Sequence, residues 1–191
     1  MIRVCALLFA LLGPTIAFPQ NPSPDSPYAS LQDDLLEHFV GKWNVGGTTH
    51  NRPTASTFEV DWVLNHQFLR IYQKSSEDAF GASVPYEAML MVGYDTASKN
   101  YVLHVMNIRG GRDARGVAFG RRTRNEISFS YHDIVPPGVN SAAPTIAESA
   151  SRPGVRFTWE PDAKTWHLVF GSHNAKGDWQ TVTDLRATLA K

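Results

Sequence analysis

The chain has 191 residues, with 18 Lys plus Arg against 18 Asp plus Glu. That length suits one domain, and the absence of net charge disfavours nucleic acid or an anionic membrane as a main partner. The only cysteine, Cys5, lies in the first turn of sequence, so disulfide and thiolate chemistry are not expected of the rest.

The opening stretch MIRVCALLFALLGPTIAF has the parts of a secretory signal. Arg3 supplies the positive start, Val4 to Leu12 the apolar run, and Thr15-Ile16-Ala17 the small residues of a cleavage site after Ala17. The run is too short for a stable membrane span. A secreted or periplasmic protein, free of the membrane after cleavage, is therefore expected. Residues 18–29 follow as a linker, with four prolines between Phe18 and Pro27.

The barrel domain is expected over residues 30–191. It opens on a helix from Ser30 to Val40, capped by Ser30 with Asp33 three residues on. Leu31, Leu35, Leu36, Phe39 and Val40 share one stripe of it, and Gly41 ends it. From Gly41 onward the period changes to two. GKWNVGG is followed by FEVDWVL, FLRIYQK, YEAMLMVGYD and NYVLHVMNI, then by VAFG, EISFSYH, VRFTWE, WHLVFGS and DWQTVTDLRATLA. About ten short strands with turn signals between them predict an all-β, antiparallel up-and-down barrel, with the sandwich as the other arrangement. GYDTASKNYVLH and TWEPDAKTWHLV echo one another, as two hairpins with similar turns. Asp133 to Pro153 reads as a loop insert.

Motifs of catalysis are missing: the chain holds no Gly-x-Ser-x-Gly, His-Glu-x-x-His, Gly-rich phosphate loop or dinucleotide fingerprint. Its seven histidines show no metal-ligand spacing, so neither a metal nor a cofactor is expected. If Trp43 points inward, Gly41, Val45 and Gly47 do too. The strands Tyr86 to Tyr94 and Tyr101 to Ile108 are apolar on both faces, so one face packs inside and the other is covered by the helix or by a partner subunit, a possible homodimer. Glu87, Met89, Met91, His104 and Met106, with Arg70 and Tyr72, have the makeup of an apolar cavity with a few polar groups. Asn107 could orient a polar part of a ligand, and Trp43 could touch it if the cavity reaches that far. The six arginines between Arg109 and Arg124 suit either an anion at the barrel mouth or a solvated hairpin turning at Gly110-Gly111. Trp159, Trp166 and Trp179 read as core and strand-pair residues.

GKWNVGG, DWVLNHQFLRIYQ and VGYDTASKNYVLHVMN together resemble the family known as domain of unknown function 1579, whose members are often secreted bacterial proteins. The shared residues are Gly41, Trp43, Trp62, Leu64, Phe68, Leu69, Gly93, Tyr94, Asp95 and Tyr101. The resemblance covers Leu31 to Ile108 and implies a lipocalin-like, calycin-type barrel. It carries no activity over. NHQFL departs from the family's glycine pair before Phe-Leu, and the 133–153 insert is additional. The function expected is non-catalytic binding of a small apolar or amphipathic molecule inside the barrel. The rivals are a haem-binding barrel of the nitrobindin kind using His104, His167 or His173, an isomerase or hydrolase using Glu87 with His104, and a filled barrel acting through its surface.

Overall fold

A computed structural model describes residues 29–75, 85–110, 117–131, 153–174 and 176–191. The expected signal, most of the expected linker and the 133–152 part of the expected insert lie outside the described residues.

Ten antiparallel strands close into a barrel: β1 (Gly41–Thr49), β2 (Arg52–Val63), β3 (Phe68–Ser75), β4 (Glu87–Asp95), β5 (Asn100–Asn107), β6 (Val117–Thr123), β7 (Glu126–Tyr131), β8 (Pro153–Glu160), β9 (Thr165–His173) and β10 (Trp179–Leu189). Each strand pairs with its neighbours in sequence, and β1 pairs with β10 to close the ring. Closure leaves no free sheet edge. The seam runs from Trp43 opposite Leu189 to Thr49 opposite Thr183. Gly47 makes it possible, because a Cβ there would lie 2.0 Å from the Asp184 carbonyl oxygen.

Period-two alternation decides which side chains fill the barrel. Val45, Phe58, Val60, Leu69, Ile71, Leu90, Val92, Leu103, Ile127, Phe129, Phe157, Trp166 and Leu185 all point inward and are buried. Trp43 and Val45 point inward as the sequence predicts. Gly47 shares their phase, at a level of the strand that is exposed.

The N-terminal segment plugs one end. The helix α1 (Asp34–Glu37) is a single turn, shorter than the predicted Ser30 to Val40. Its cap is Asp33, whose carboxylate accepts the Leu35 and Leu36 N–H groups, both at 2.9 Å; Ser30 plays no such part. Upstream, the chain is drawn out along the β2–β3 hairpin instead of coiling. The Leu31 N–H donates to the His66 carbonyl at 2.9 Å, and a His66 ring nitrogen meets the Leu31 carbonyl at 2.8 Å. Downstream, Gly41 already belongs to β1, with φ of +134°. Leu35, Leu36 and Phe39 nonetheless bury as the stripe requires. The Trp43 indole N–H donates to the Phe39 carbonyl at 2.7 Å, and Phe39 and Trp43 pack on Trp159 and Trp166. Trp43 is a plug residue of the closed end.

The two echoing segments are the β4–β5 and β8–β9 hairpins. Their lysines, Lys99 and Lys164, take the same left-handed conformation, with φ of +55° and +50°. The likeness is one of turn type.

Candidate functional site

The ends of the barrel differ. At the helix end the inner side chains are sealed: Leu36, Phe39 and Trp166 have no exposure. A polar cluster rims that seal. Arg122, on the inner face of β6, forks onto Asp34 with contacts of 2.5 and 3.1 Å and reaches Asp33 at 3.3 Å. The Tyr101 hydroxyl donates to Asp33. The guanidinium of Arg122 holds the Asp34 carboxyl below its ordinary range, and burial, then the bond to Asp33, pushes the Tyr101 phenol above its own.

At the other end, several inner-facing side chains are only half-buried, while Ser75, Ala88, Ala118 and Tyr131 on the same face stay buried. Ser56 on β2, Gln73 on β3, Val105 and Asn107 on β5, Phe170 on β9 and Thr183 on β10 belong here. All share the phase of fully buried residues one rung deeper, such as Phe58, Ile71, Leu103, Leu168 and Leu185. A cup opening at this end would be walled by them and floored by those apolar side chains. Its polar groups are amide and hydroxyl, without net charge. The Ser56 hydroxyl oxygen is buried with no hydrogen-bond partner. Unpaired buried polar atoms call for a guest or an ordered water.

Of the residues expected to line a cavity, only Trp43 and Asn107 lie on the inner face. Trp43 sits in the sealed end, and Asn107 sits at the mouth, where its side-chain oxygen accepts the Arg109 N–H at 2.9 Å. Arg70, Tyr72, Glu87, Met89, Met91, His104 and Met106 occupy the outer face of β3, β4 and β5. Their neighbours Leu69, Ile71, Ala88, Leu90, Val92 and Leu103 take the interior. The expected grouping is present, since all seven share one face in consecutive rungs. The expected direction is reversed. Period two fixes which residues go together but not which set turns inward when both sets are apolar. Among the described residues, no helix covers this outer face.

Local pairing explains its polar members. Arg70 forks onto Asp61 with two contacts of 2.8 Å. The Tyr72 hydroxyl donates to Glu87 at 2.8 Å, which raises the Tyr72 pKa, and Lys74 lies 3.5 Å from Glu87. Glu87 and His104 do not converge: the Met89–Met106 rung lies between them, and about 14 Å of strand separates Glu87 from the His104 rung. The acid–base pairing of the enzymatic rival is therefore not formed. The haem rival needs an inward histidine, and His104, His167 and His173 all stand on the outer face. His167 meets Asp184 at 2.5 Å, and His173 lies edge-on to Trp179.

The arginine run does not form one patch. Arg109 stands at the mouth, its guanidinium 5.6 Å from the Tyr86 ring centre. Arg121, Arg122 and Arg124 lie at the far end of β6 and in the turn beyond it, at the closed end. Arg112 and Arg115 lie outside the described residues. Sequence reasoning missed Ser56, Gln73, Phe170 and Thr183. The signal for them was the phase of Phe58, Ile71, Leu168 and Leu185, extended one rung.

No helix among the described residues is long and apolar enough to cross a membrane. No family model matches the chain, and no curated protein matches it.

Proposed function

We propose that the protein is a non-catalytic binding protein that holds a small apolar or amphipathic molecule in the cup opposite α1. The observation that carries this reading is the gradient along the inner face. It runs from a sealed aromatic plug at Phe39 and Trp166 to half-buried side chains at Gln73, Val105, Phe170 and Thr183, with Ser75 and Tyr131 buried among them. An apolar floor with a few polar groups at its rim is the usual makeup of such a site. The unpaired Ser56 hydroxyl offers the guest a hydrogen bond. The signal-like first 17 residues support export, and the resemblance to the domain of unknown function 1579 family supports a lipocalin-like lineage; both belong to the same proposal.

Native mass spectrometry of the gently purified protein tests it. A bound small molecule is expected, or failing that a saturable response to the apolar dye anilinonaphthalene sulfonate. Val105→Trp and Thr183→Trp narrow the mouth and should abolish either signal while the fold stays intact. A bare mass with no dye response overturns the reading.

A further inference from the structure

The outer face of β4 and β5 carries a separate chemistry. The chain has four methionines, and all but the initiator stand here. Met89 pairs directly with Met106, and Met91 directly with His104, on adjacent rungs of one ladder. Across the ladder such Cβ atoms lie about 5 Å apart, and along a strand the spacing is about 7 Å. The centre of the rectangle is then about 4 Å from each Cβ, within reach of a flexible thioether and of an imidazole. Met106 is 51 % exposed and the other three are half-buried, so the group is open to solvent.

His104 is uncommitted. Among the described residues no hydrogen bond engages either of its ring nitrogens, whereas His66 and His167 are both bonded. Its ring is steadied edge-on by Phe68, at 6.4 Å between centroids, and Phe68 itself lies over Gly93, where a Cβ would approach the ring to 2.6 Å. Arg70, next along the His104 rung, has its charge matched by Asp61. An ordinary apolar patch would be equally well served by leucine and would gain nothing from a free imidazole at its centre.

Thioether sulfur and neutral imidazole are soft to borderline donors. Together they favour Cu(I) over ions that prefer carboxylates. No group of three or more His, Cys, Asp or Glu that could hold a harder ion exists among the described residues. We propose that Met89, Met91, Met106 and His104 form a site for a soft monovalent cation, Cu(I), on the outer wall of the barrel. The histidine spacing read from the sequence gave no metal site because three of the four donors are methionines. The site does not rest on the cup, and either can fail without the other.

The test is titration of the chain from Phe18 onward with Cu(I) under anaerobic conditions against a chromophoric Cu(I) chelator, and with Ag(I) as the redox-inert analogue. One ion per chain should be withdrawn from the chelator. With Ag(I), the methyl resonances of all three methionines, labelled with carbon-13, should shift together. Met89→Leu/Met91→Leu keeps the apolar volume, and His104→Gln keeps a polar side chain; each should weaken binding at least about tenfold, while His167→Gln leaves it unchanged. Failure to withdraw Cu(I) overturns the proposal. So does binding of equal strength in His104→Gln and in the methionine variant, which would place the ion elsewhere on the chain. His104→Gln alters one half-buried surface residue and decides the matter alone if the double variant does not fold.

Discussion

Tyr101 on β5 donates its phenolic hydrogen to Asp33, a residue 68 positions earlier and outside the barrel wall. The same carboxylate caps α1 through Leu35 and Leu36 and receives Arg122. One side chain therefore starts the helix and fixes it to the barrel's inner face. Asp33→Ala removes the cap and takes the acceptor from the buried Tyr101 hydroxyl, a loss of about 2–4 kcal/mol. Asp33→Asn keeps a capping oxygen and should lose less. Urea denaturation of the two variants checks the order; equal midpoints would show that the carboxylate is not the tie.

Alkaline pH acts on the same contact. Burial, and then the bond to Asp33, raises the Tyr101 pKa above the ordinary phenol value of about 10. The folded state thus keeps a proton that the unfolded chain releases. The resulting stability is complete below pH 10 and is lost as pH rises toward the folded value, by about 1.4 kcal/mol per pH unit. Tyr101→Phe should be less stable at neutral pH and show a shallower decline above pH 10. Denaturation midpoints at neutral and alkaline pH for both proteins measure it, and parallel declines would contradict it.

The β2–β3 hairpin stores backbone strain. Leu64, Asn65 and His66 are successive left-handed residues, with φ of +51°, +55° and +62°. Docking of Ala29 and Leu31 on His66 and Gln67 holds the turn, as does the stacking of Trp62 on His66 at 4.0 Å. Leu64 is 67 % exposed and packs little. Leu64→Gly relieves the left-handed penalty and should stabilise by up to about 1 kcal/mol. Leu64→Ala keeps that penalty and should not. A thermal melt of both distinguishes strain relief from the loss of an exposed leucine.

Much of the fold was legible in the sequence. Glycines and polar turns punctuate ten alternating stretches, and neither feature needs tertiary information to be read. Two things were not legible. The helix shrank to one turn because its cap depends on Tyr101 and Arg122, which only the closed barrel brings to Asp33. The β3–β5 face was assigned the wrong direction because Met89, Met91 and Met106 are as apolar as Ala88, Leu90 and Val105. Only the closure of the sheet, which sends Leu69, Val92 and Leu103 inward, breaks that tie. The arginine run is spread out for a related reason: linear proximity hides a strand that carries its two ends to opposite ends of the barrel.

Trp179 provides a sharp check on the outer wall. Its ring lies across the paired Gly154 and Gly171, with the Arg156 guanidinium 5.0 Å from the ring centre. A Cβ at Gly171 would come within 2.4 Å of the Gln180 carbonyl oxygen and 2.7 Å of the Trp179 ring. The ring could swing out, but the carbonyl belongs to the neighbouring strand, beside the register shift between Thr181 and Thr183. Relief requires β9 and β10 to part. Gly171→Ala should therefore cost about 1–3 kcal/mol and shift tryptophan emission to the red as Trp179 is released to water. Gly46→Ala is the control, since nothing lies within 4 Å of a Cβ there; it should be neutral, or stabilise by about 0.5 kcal/mol through reduced unfolded-state freedom. Equal melting curves for the two alanine variants would mean that the β9–β10 pairing yields freely at Gly171.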